Sequence, residues 1–320
     1  MTDGRDILPG RLAEHDGQAP IQVLYIGGYG RSGSTVVDIA LGQFPGVFGA
    51  GEMGNLQRHV WANNEYCACG AQVRDCELWS VIVERWLEGE PPGTMERYKR
   101  LSERFEALRN PLQLLGAMTW TRSFREYARL TRSLFAAIRQ TANCRVIVDS
   151  SKSPSRAIAL SRTPGVDLSL LHLMRDGRGV AWSMMKSLEV DPSAGVQRSV
   201  GGAPALRTTH RWIAFNILAE FAASRLGKKR STRLRYEDFT ADPVAALQPV
   251  LAMIGVSPAA SDTPDLAEIV ADHQVAGSRI RMGGALRISR DASWETKMPE
   301  RDRLQVQRRA GWMLNRYGYL

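Results

Sequence analysis

Short apolar runs alternate with helical patterns along the 320-residue chain. Segments that predict strands occupy residues 21–26, 145–149, 168–174 and 231–236, the first of them rich in β-branched and aromatic residues, and each is followed by a loop and then an amphipathic or apolar helical pattern. Apolar runs of this length predict buried strands, and their alternation with helices predicts a parallel sheet. The expected fold is therefore α/β, a P-loop-like doubly wound parallel sheet flanked by helices, with a ligand at the carboxyl ends of the strands.

Residues 57–140 have a different pattern, with apolar residues at three- and four-residue intervals and no convincing strand. Two such stripes predict helices. They consist of Met95, Tyr98, Leu101, Phe105 and Leu108, and of Phe124, Tyr127, Leu130, Leu134 and Ile138. We interpret the segment as a helical insertion within a single domain that spans residues 20–320. Residues 1–19 are polar and contain several glycines, which predicts a loose leader.

Composition narrows the class of protein. Apolar residues make up 44% and charged residues 23% of the chain, as is usual for a soluble globular protein. No apolar run is long enough to span a membrane and the first twenty residues lack a signal-peptide core, so we expect a cytoplasmic protein. The net charge of +9 favours an anionic ligand. The basic residues are dispersed, however, and the single compact run, residues 228–230, is interpreted as a solvated helix end rather than a nucleic-acid site.

The first strand leads into a glycine-rich loop, residues 27–35, that almost fits the nucleotide-binding pattern G-x-x-x-x-G-K-[ST]. Gly28 and Gly33 are in register, but Ser34 stands where that pattern requires lysine, which argues against phosphoryl transfer from a nucleoside triphosphate. The loop can still bind an anion through backbone N–H groups and the start of the following helix. Arg31 adds a guanidinium suited to phosphate or sulfonate oxygens.

The loop sequence GYGRSGST resembles the 5′-phosphosulfate loop of sulfotransferases that use 3′-phosphoadenosine 5′-phosphosulfate (PAPS). It is similar to the form found in the carbohydrate, tyrosylprotein and many bacterial members. The resemblance implies transfer of a sulfuryl group from PAPS to a hydroxyl, with 3′-phosphoadenosine 5′-phosphate (PAP) as the second product and no metal required. The loop residues that it implies for cofactor binding are Gly30, Arg31, Ser32, Gly33, Ser34 and Thr35.

Two further residues acquire catalytic roles from the resemblance, beside Arg31. Glu52 follows a short predicted strand, as does the general base of the tyrosylprotein sulfotransferases, so Glu52 is the candidate base. Lys152 lies in a Lys-Ser-Pro segment after the second long strand and is similar to the lysine that approaches the bridging oxygen of the cofactor. The catalytic histidine of the cytosolic branch has no counterpart near Ser150 and Ser151, which strengthens the case for Glu52.

Arg175 and Ser183 match the family's 3′-phosphate motif, an arginine at a strand end followed eight residues later by a serine. Such an arginine can bind a phosphate bidentately while the serine hydroxyl donates to it. Tyr236 resembles a tyrosine that contacts the nucleotide. The last part of the chain, from residue 273 onward, is called the tail here. Arg281 lies in its first segment, residues 273–283, which is similar to the basic loop that closes over the 3′-phosphate, although a surface loop remains an equal alternative.

The acceptor cannot be identified from the sequence. We expect a small molecule or biosynthetic intermediate that carries a hydroxyl, in a pocket covered by the helical insertion and by the Gly- and Pro-rich residues 188–206. A bacterial protein of secondary metabolism fits this expectation. The oligomeric state is left open.

Cys67, Cys69 and Cys76 form a cluster in the insertion. Their spacing is not that of a standard zinc finger, and a site would need a fourth ligand such as His59. Reduced thiols are the favoured state in a cytoplasmic chain, with zinc or a disulfide as alternatives.

Two other functions remain open at this stage. An atypical P-loop kinase would need a magnesium site and a replacement for the missing lysine. A non-catalytic nucleotide- or polyanion-binding protein would use Arg31 and Arg175 but not Glu52.

Overall fold

The computed structural model describes residues 19–107, 121–187, 189–191, 199 and 201–320. The predicted leader, apart from Ala19, lies outside the described residues. The same holds for Leu108 of the first predicted stripe and for most of residues 188–200. Among the described helices, none combines the length and the low polarity that a membrane span requires.

The central sheet contains five parallel strands. They are β1 (Ile21–Gly28), β2 (Val47–Gly49), β3 (Val146–Lys152), β4 (Val166–Met174) and β5 (Ser231–Arg235). The order across the sheet is β2-β3-β1-β4-β5, so β1 lies in the middle. The chain runs from β1 to one edge and returns past β3 to the other side of β1. This reversal creates a crevice at the carboxyl ends of β1, β3 and β4, where open α/β sheets bind ligands.

Helices connect and cover the strands. They are α1 (Ser34–Gly42), α2 (Glu77–Leu87), α3 (Thr94–Glu106), α4 (Arg122–Thr141), α5 (Pro154–Ser161), α6 (Gly177–Met185), α7 (Ala205–Leu226), α8 (Tyr236–Ala241), α9 (Pro243–Met253), α10 (Trp294–Lys297) and α11 (Glu300–Arg316). The fold is the α/β architecture predicted from the alternation of strands and helices.

The side chains of β1 alternate between two buried layers, as a strand with both faces covered requires. Ile21, Val23 and Tyr25 pack against the helices of the insertion. Leu24 and Ile26 pack on the opposite face, with α1 and α9. The central strand is therefore inaccessible to solvent except at its ends, and ligand chemistry is confined to the loops there.

Within the described part of the insertion, α2, α3 and α4 are the long helices, while residues 61–76 form turns with one isolated bridge. The described residues of both predicted stripes are buried, apart from Met95, which is half-buried. The insertion is also joined to the sheet by buried charges. Arg156 of α5 forms ion pairs with Asp149 at the end of β3 and with Glu106 at the end of α3, and Tyr127 of α4 donates a hydrogen bond to Glu106 at 2.9 Å. All four side chains are almost completely buried. Each carboxylate thus has a cationic or hydroxyl partner, which offsets the cost of its desolvation.

Two elements differ from the sequence prediction. The fourth long strand ends at Arg235, and Tyr236 begins α8 instead of ending the strand. A small antiparallel sheet, β6 (Glu268–Val270) just before the tail with β7 (Ala285–Arg287) within it, was not predicted. Its strands have three residues each, too few for a periodic pattern to reveal them.

Candidate active site

A cleft of about 370 Å³ opens at the carboxyl ends of β1, β3, β4 and β5. Its volume falls in the range of roughly 300–1,000 Å³ that is usual for small-molecule sites. Ten of its lining residues belong to the segments singled out from the sequence: Gly30, Arg31, Gly33, Ser34, Thr35, Glu52, Lys152, Arg175, Ser183 and Tyr236. Segments separated by up to two hundred residues in sequence therefore meet in one place.

The glycine loop turns from β1 into α1 and forms one wall of this cleft. Gly33 caps α1 with a φ of 90°, a left-handed conformation that glycine adopts without strain. A Cβ at Gly33 would also lie 2.5 Å from the ring of Tyr236, so that ring packs directly on the loop. Residues 33–36 all line the cleft. The N-terminus of α1, with its unpaired N–H groups and positive dipole end, thus faces the space where an anion can bind.

Lys152 lies between the glycine loop and Glu52. Its Nζ is 2.5 Å from Glu52 Oε1, 3.3 Å from Ser34 Oγ and 2.9 Å from the Ser150 carbonyl oxygen. Ser34 occupies the position where nucleoside-triphosphate-binding loops have lysine. The structure therefore supplies an ammonium group to that position from the end of β3, 118 residues later in the chain.

Two residues of the cleft have unusual backbone conformations. Arg31 and Lys152 have φ angles of 67° and 68°, in the left-handed region that non-glycine residues rarely adopt. Neither is an asparagine or aspartate, the residue types that tolerate this region best, and each such residue costs of order 1 kcal/mol or more. Strain of this kind is often found at functional sites, and here it occurs at two of the three cations that line the cleft in the described part of the chain.

Besides its ion pair with Lys152, Glu52 has three other close neighbours. Its second carboxylate oxygen accepts a hydrogen bond from Asn55 Nδ2 at 2.8 Å, and its backbone N–H donates to the Val275 carbonyl at 2.9 Å. Gly277 comes so close that a Cβ there would lie 3.3 Å from Glu52 Oε1. The carboxylate is thereby oriented by the tail of the chain as well as by its own segment.

Arg175 reaches the same cleft from the end of β4. Its guanidinium donates to the Arg31 carbonyl at 3.0 Å and to the Asp291 carboxylate at 3.1 Å, and it stacks 4.5 Å from the ring centre of Tyr236. Asp291 is partly buried, which opposes ionisation, but hydrogen bonds from Ser293 and Arg175 nevertheless hold the pKa of Asp291 at about 2. Asp291 therefore stays ionised at neutral pH, as the acidic partner of Arg175.

Arg31 has no acidic partner within the described parts of the chain. Burial lowers the pKa of Arg31, and the nearby cations Arg175 and Arg279 lower it further. Its pKa remains far above neutral, as for any arginine in a protein. Positive charges this close together disfavour one another, and a bound polyanion would relieve that repulsion.

Two sequence-predicted residues do not line the cleft. The Ser32 hydroxyl is buried without a hydrogen-bond partner among the described residues. Arg281 is 2% exposed, and its guanidinium donates to the Tyr66 and Gln274 carbonyl oxygens, which anchors the tail to the insertion. Arg281 is thus not placed where it could bind a ligand in the cleft.

The sequence analysis missed four residues of the tail, Gly277, Ser278, Ile280 and Asp291, which line the cleft. Ser278 contacts the loop directly, because its N–H lies 3.3 Å from Thr35 Oγ1. No local pattern identifies these residues. The only signal was the basic, glycine-containing stretch around residues 277–283, from which Arg281 was chosen.

The comparisons with known proteins decide the family. A profile described as "Sulfotransferase family" matches residues 23–260, which is about three quarters of the chain. The chain belongs to the sulfotransferase family. This result confirms the resemblance seen in the sequence. No curated protein sequence matches the chain.

Solved structures of sulfotransferases were also found. The sulfotransferase domain of the olefin synthase from Synechococcus PCC 7002 shares 19% identity and has a TM-score of 0.46, with 93% of this chain and 98% of that domain covered. The sulfotransferase domain from the curacin biosynthetic pathway shares 16% identity, with a TM-score of 0.44 and coverage of 93% and 98%. Sulfotransferase STF1 from Mycobacterium tuberculosis shares 15%, with a TM-score of 0.45 and coverage of 76% and 70%.

One titratable group of this sulfotransferase gives a pH prediction. Asp38 of α1 is completely buried, and burial raises its pKa to about 7, although hydrogen bonds from Ser150 and Gly51 oppose the rise. Its pKa in the unfolded chain is about 3.9. The folded state therefore binds the proton more tightly, and its stability falls as the pH rises from about 4 to about 7.

Asp38→Asn removes this titration. We expect the variant to gain stability relative to the wild type as the pH rises through that window, by up to about 4 kcal/mol in total. Urea unfolding of both proteins at several pH values between 4 and 8 measures the difference. A difference in unfolding free energy that does not change with pH would show that Asp38 is ionised throughout.

Proposed function

We propose that this protein transfers the sulfuryl group of PAPS to a hydroxyl of a small-molecule acceptor, with Glu52 as the general base. The observation that carries the proposal is that the Lys152 ammonium group contacts both Glu52 and Ser34, the latter of which begins α1 at the end of the glycine loop. These contacts bring a proton acceptor, a cation and a helix N-terminus together within one cleft. Membership of the sulfotransferase family supports the reaction class.

The residues of the cleft suit the charge of PAPS. The N-terminus of α1 and Arg31 would hold the 5′-phosphosulfate, because both face the cleft and Arg31 lacks an acidic partner among the described residues. Arg175 and Ser183 would hold the 3′-phosphate from the end of β4 and from α6. Tyr236 would contact the nucleotide.

Arg279 is our candidate for the role first predicted for Arg281, which is to close over the 3′-phosphate. It is exposed in the tail segment that borders the cleft, and it lies close enough to Arg31 to lower the pKa of that residue. We therefore expect Arg279, and not the buried Arg281, to close over the phosphates.

PAPS supplies the sulfuryl group when bound, and the protein's own residues then manage protons and charge. Glu52 accepts the proton of the acceptor hydroxyl as that oxygen attacks, a role typically worth about 10²- to 10⁴-fold in rate. Lys152 donates to the oxygen that leaves with PAP. Arg31 and the loop N–H groups stabilise the negative charge on the sulfuryl oxygens, and they are already in position before the reaction begins.

Lys152 has to exchange partners for this role. In the structure its ammonium group contacts Glu52, so the carboxylate and the ammonium neutralise one another. When Lys152 turns to the cofactor, Glu52 loses that contact and becomes available to the acceptor hydroxyl. Binding of PAPS would thus free Glu52 to act as a base, so the donor would have to bind before Glu52 can accept the acceptor's proton.

The insertion is our candidate for the acceptor-site cover. It begins at residue 57, shortly after Glu52, and its Glu106 carbonyl accepts a hydrogen bond at 3.1 Å from Ser153 Oγ, next to Lys152. A hydroxyl-bearing molecule that reaches Glu52 would therefore lie next to insertion residues.

Calorimetric titration with PAP, and separately with ATP and magnesium, tests the proposal. We expect PAP to bind in the micromolar range, about −8 kcal/mol, and ATP with magnesium to bind much more weakly. Sulfuryl transfer is then sought by incubating the protein with labelled PAPS and pools of phenols, sugars and hydroxylated lipids. Binding of ATP with magnesium but not of PAP would favour a kinase, and PAP binding without transfer to any pool would favour a non-catalytic nucleotide-binding protein.

A further inference from the structure

Three cysteines and one histidine converge outside the cleft. Cys67, Cys69 and Cys76 come from the start of the insertion, and His273 comes from the tail about two hundred residues later. Their potential ligand atoms all lie within 4.8 Å of one another. His59, the fourth ligand considered from the sequence, instead pairs with Glu65 at 2.8 Å.

The distances between these atoms match those of a tetrahedral zinc site. Zn–S bonds of about 2.3 Å and Zn–N bonds of about 2.0–2.1 Å imply S···S separations of about 3.8 Å and S···N separations of about 3.6 Å in a tetrahedron. The Cys69 and Cys76 sulfurs are 3.7 Å apart. His273 Nδ1 lies 3.7 Å from the Cys67 sulfur and 3.3 Å from the Cys76 sulfur. We propose that Cys67, Cys69, Cys76 and His273 bind one structural zinc ion.

The surroundings also suit a metal. The Asp272 carboxylate lies 3.3 Å from His273 Nε2, so it can orient the ring and leave Nδ1 free to coordinate, an arrangement common among zinc-bound histidines. Cys67 and Cys76 are fully buried, and four protein ligands complete a tetrahedral shell without water. Such a closed shell is typical of structural sites and not of catalytic ones.

A disulfide accounts for the cluster less well. All four cysteines of the chain are free in the structure. One disulfide would join two of the three clustered sulfurs, and it would not explain why the third sulfur and His273 lie beside them. It would also need an oxidant, whereas zinc uses all four groups at once and binds thiolates, with release of their protons.

The site would fasten the tail to the insertion. Next to His273, the Gln274 carbonyl accepts a hydrogen bond from the Ala68 N–H at 3.1 Å. The following residue, Val275, pairs with Gly51 and accepts from the Glu52 N–H. Zinc would therefore hold the strand-like tail segment against the Glu52 segment. It would do so whether or not the cleft transfers sulfuryl groups.

Metal analysis of the full-length protein tests the proposal. The protein is purified without oxygen or chelator from cells grown with zinc, and its metal content is measured by mass spectrometry. We expect one zinc per chain, bound by three sulfurs and one nitrogen in X-ray absorption spectra.

Three variants test the ligands. Cys69→Ser should lose most of the zinc. Cys144→Ser, the same chemical change in the cysteine outside the cluster, should keep it. Asp272→Asn should keep the ion but bind it about tenfold more weakly.

A cobalt titration of wild-type protein covers the case in which a cysteine variant fails to fold. After removal of the zinc by chelation, added Co²⁺ should produce sulfur-to-cobalt charge-transfer absorption and the intense visible bands of tetrahedral cobalt, and zinc should then abolish both. Removal of zinc should also lower the Tm. Metal-free protein that keeps its full Tm would overturn the proposal. So would cobalt spectra without thiolate bands, or a mass 2 Da below that of the reduced chain under anaerobic preparation.

Discussion

Glu52→Gln is expected to lower kcat for sulfuryl transfer by about 10²- to 10⁴-fold, because the amide cannot accept the proton of the acceptor hydroxyl. The glutamine keeps the size of the side chain, and its carbonyl oxygen can still accept a hydrogen bond from Lys152, although its NH2 group cannot accept the second one from Asn55, so we expect the fold and the loop to be retained. PAP should bind the variant at least as tightly as the wild type, since the cleft loses one negative charge. Initial rates with PAPS and an acceptor found in the pooled screen measure the effect.

Asn55→Ala is the matched comparison. This change removes the hydrogen bond that orients the second oxygen of Glu52 but leaves the base in place, so its effect on kcat should be much smaller than that of Glu52→Gln. If Glu52→Gln keeps wild-type kcat, the base lies elsewhere and the role that the resemblance implies for Glu52 is wrong. A large loss of PAP affinity in the same variant would instead identify Glu52 as part of the cofactor site.

Arg175→Ala should weaken PAP binding by about 100-fold or more, because two charge-assisted hydrogen bonds to a phosphate are lost, each worth about 1.5–3 kcal/mol. Arg175→Lys should recover only part of the loss, since an ammonium group cannot form the paired contacts of a guanidinium. Calorimetric titration with PAP measures both variants. Titration with adenosine 5′-phosphate, which lacks the 3′-phosphate, should show little difference among the three proteins.

Two further variants separate a ligand contact from a structural effect. Arg290 precedes Asp291, is exposed, and pairs with Glu295 outside the cleft. Arg290→Ala should therefore bind PAP as the wild type does. Asp291→Asn should tighten PAP binding, because the carboxylate that now occupies Arg175 is a competitor for the phosphate. Unchanged PAP affinity in Arg175→Ala would show that the 3′-phosphate binds elsewhere.

The elements of the fold were readable from the sequence because each depends on a local pattern. The apolar runs ending near residues 28, 149 and 174 are buried on both faces, and the stripes of the insertion repeat at helical spacing. Short elements were not predictable to the same degree. β6 and β7 have three residues each, and Tyr236 follows a strand so closely that its place at the start of α8 depends on hydrogen bonding and not on composition.

For the candidate site, the motifs identified which segments meet but not how their side chains pair. The glycine loop, Lys152 and Arg175 each follow a strand, and parallel strands bring their carboxyl ends to one edge of a sheet. That topology explains why residues chosen from separate motifs line a single cleft.

Local sequence patterns were enough to predict the order of strands and helices along the chain, the glycine loop with serine in place of lysine, and the family. Other features emerge only from the folded chain: Lys152 reaches Ser34, Asp291 pairs with Arg175, Arg281 is buried, and His273, not His59, completes the cysteine cluster. The reason is physical. Periodicity and turn chemistry act over a few residues, whereas these contacts join residues 116 to 215 positions apart, and most of them depend on how the end of the chain packs across the sheet and the insertion.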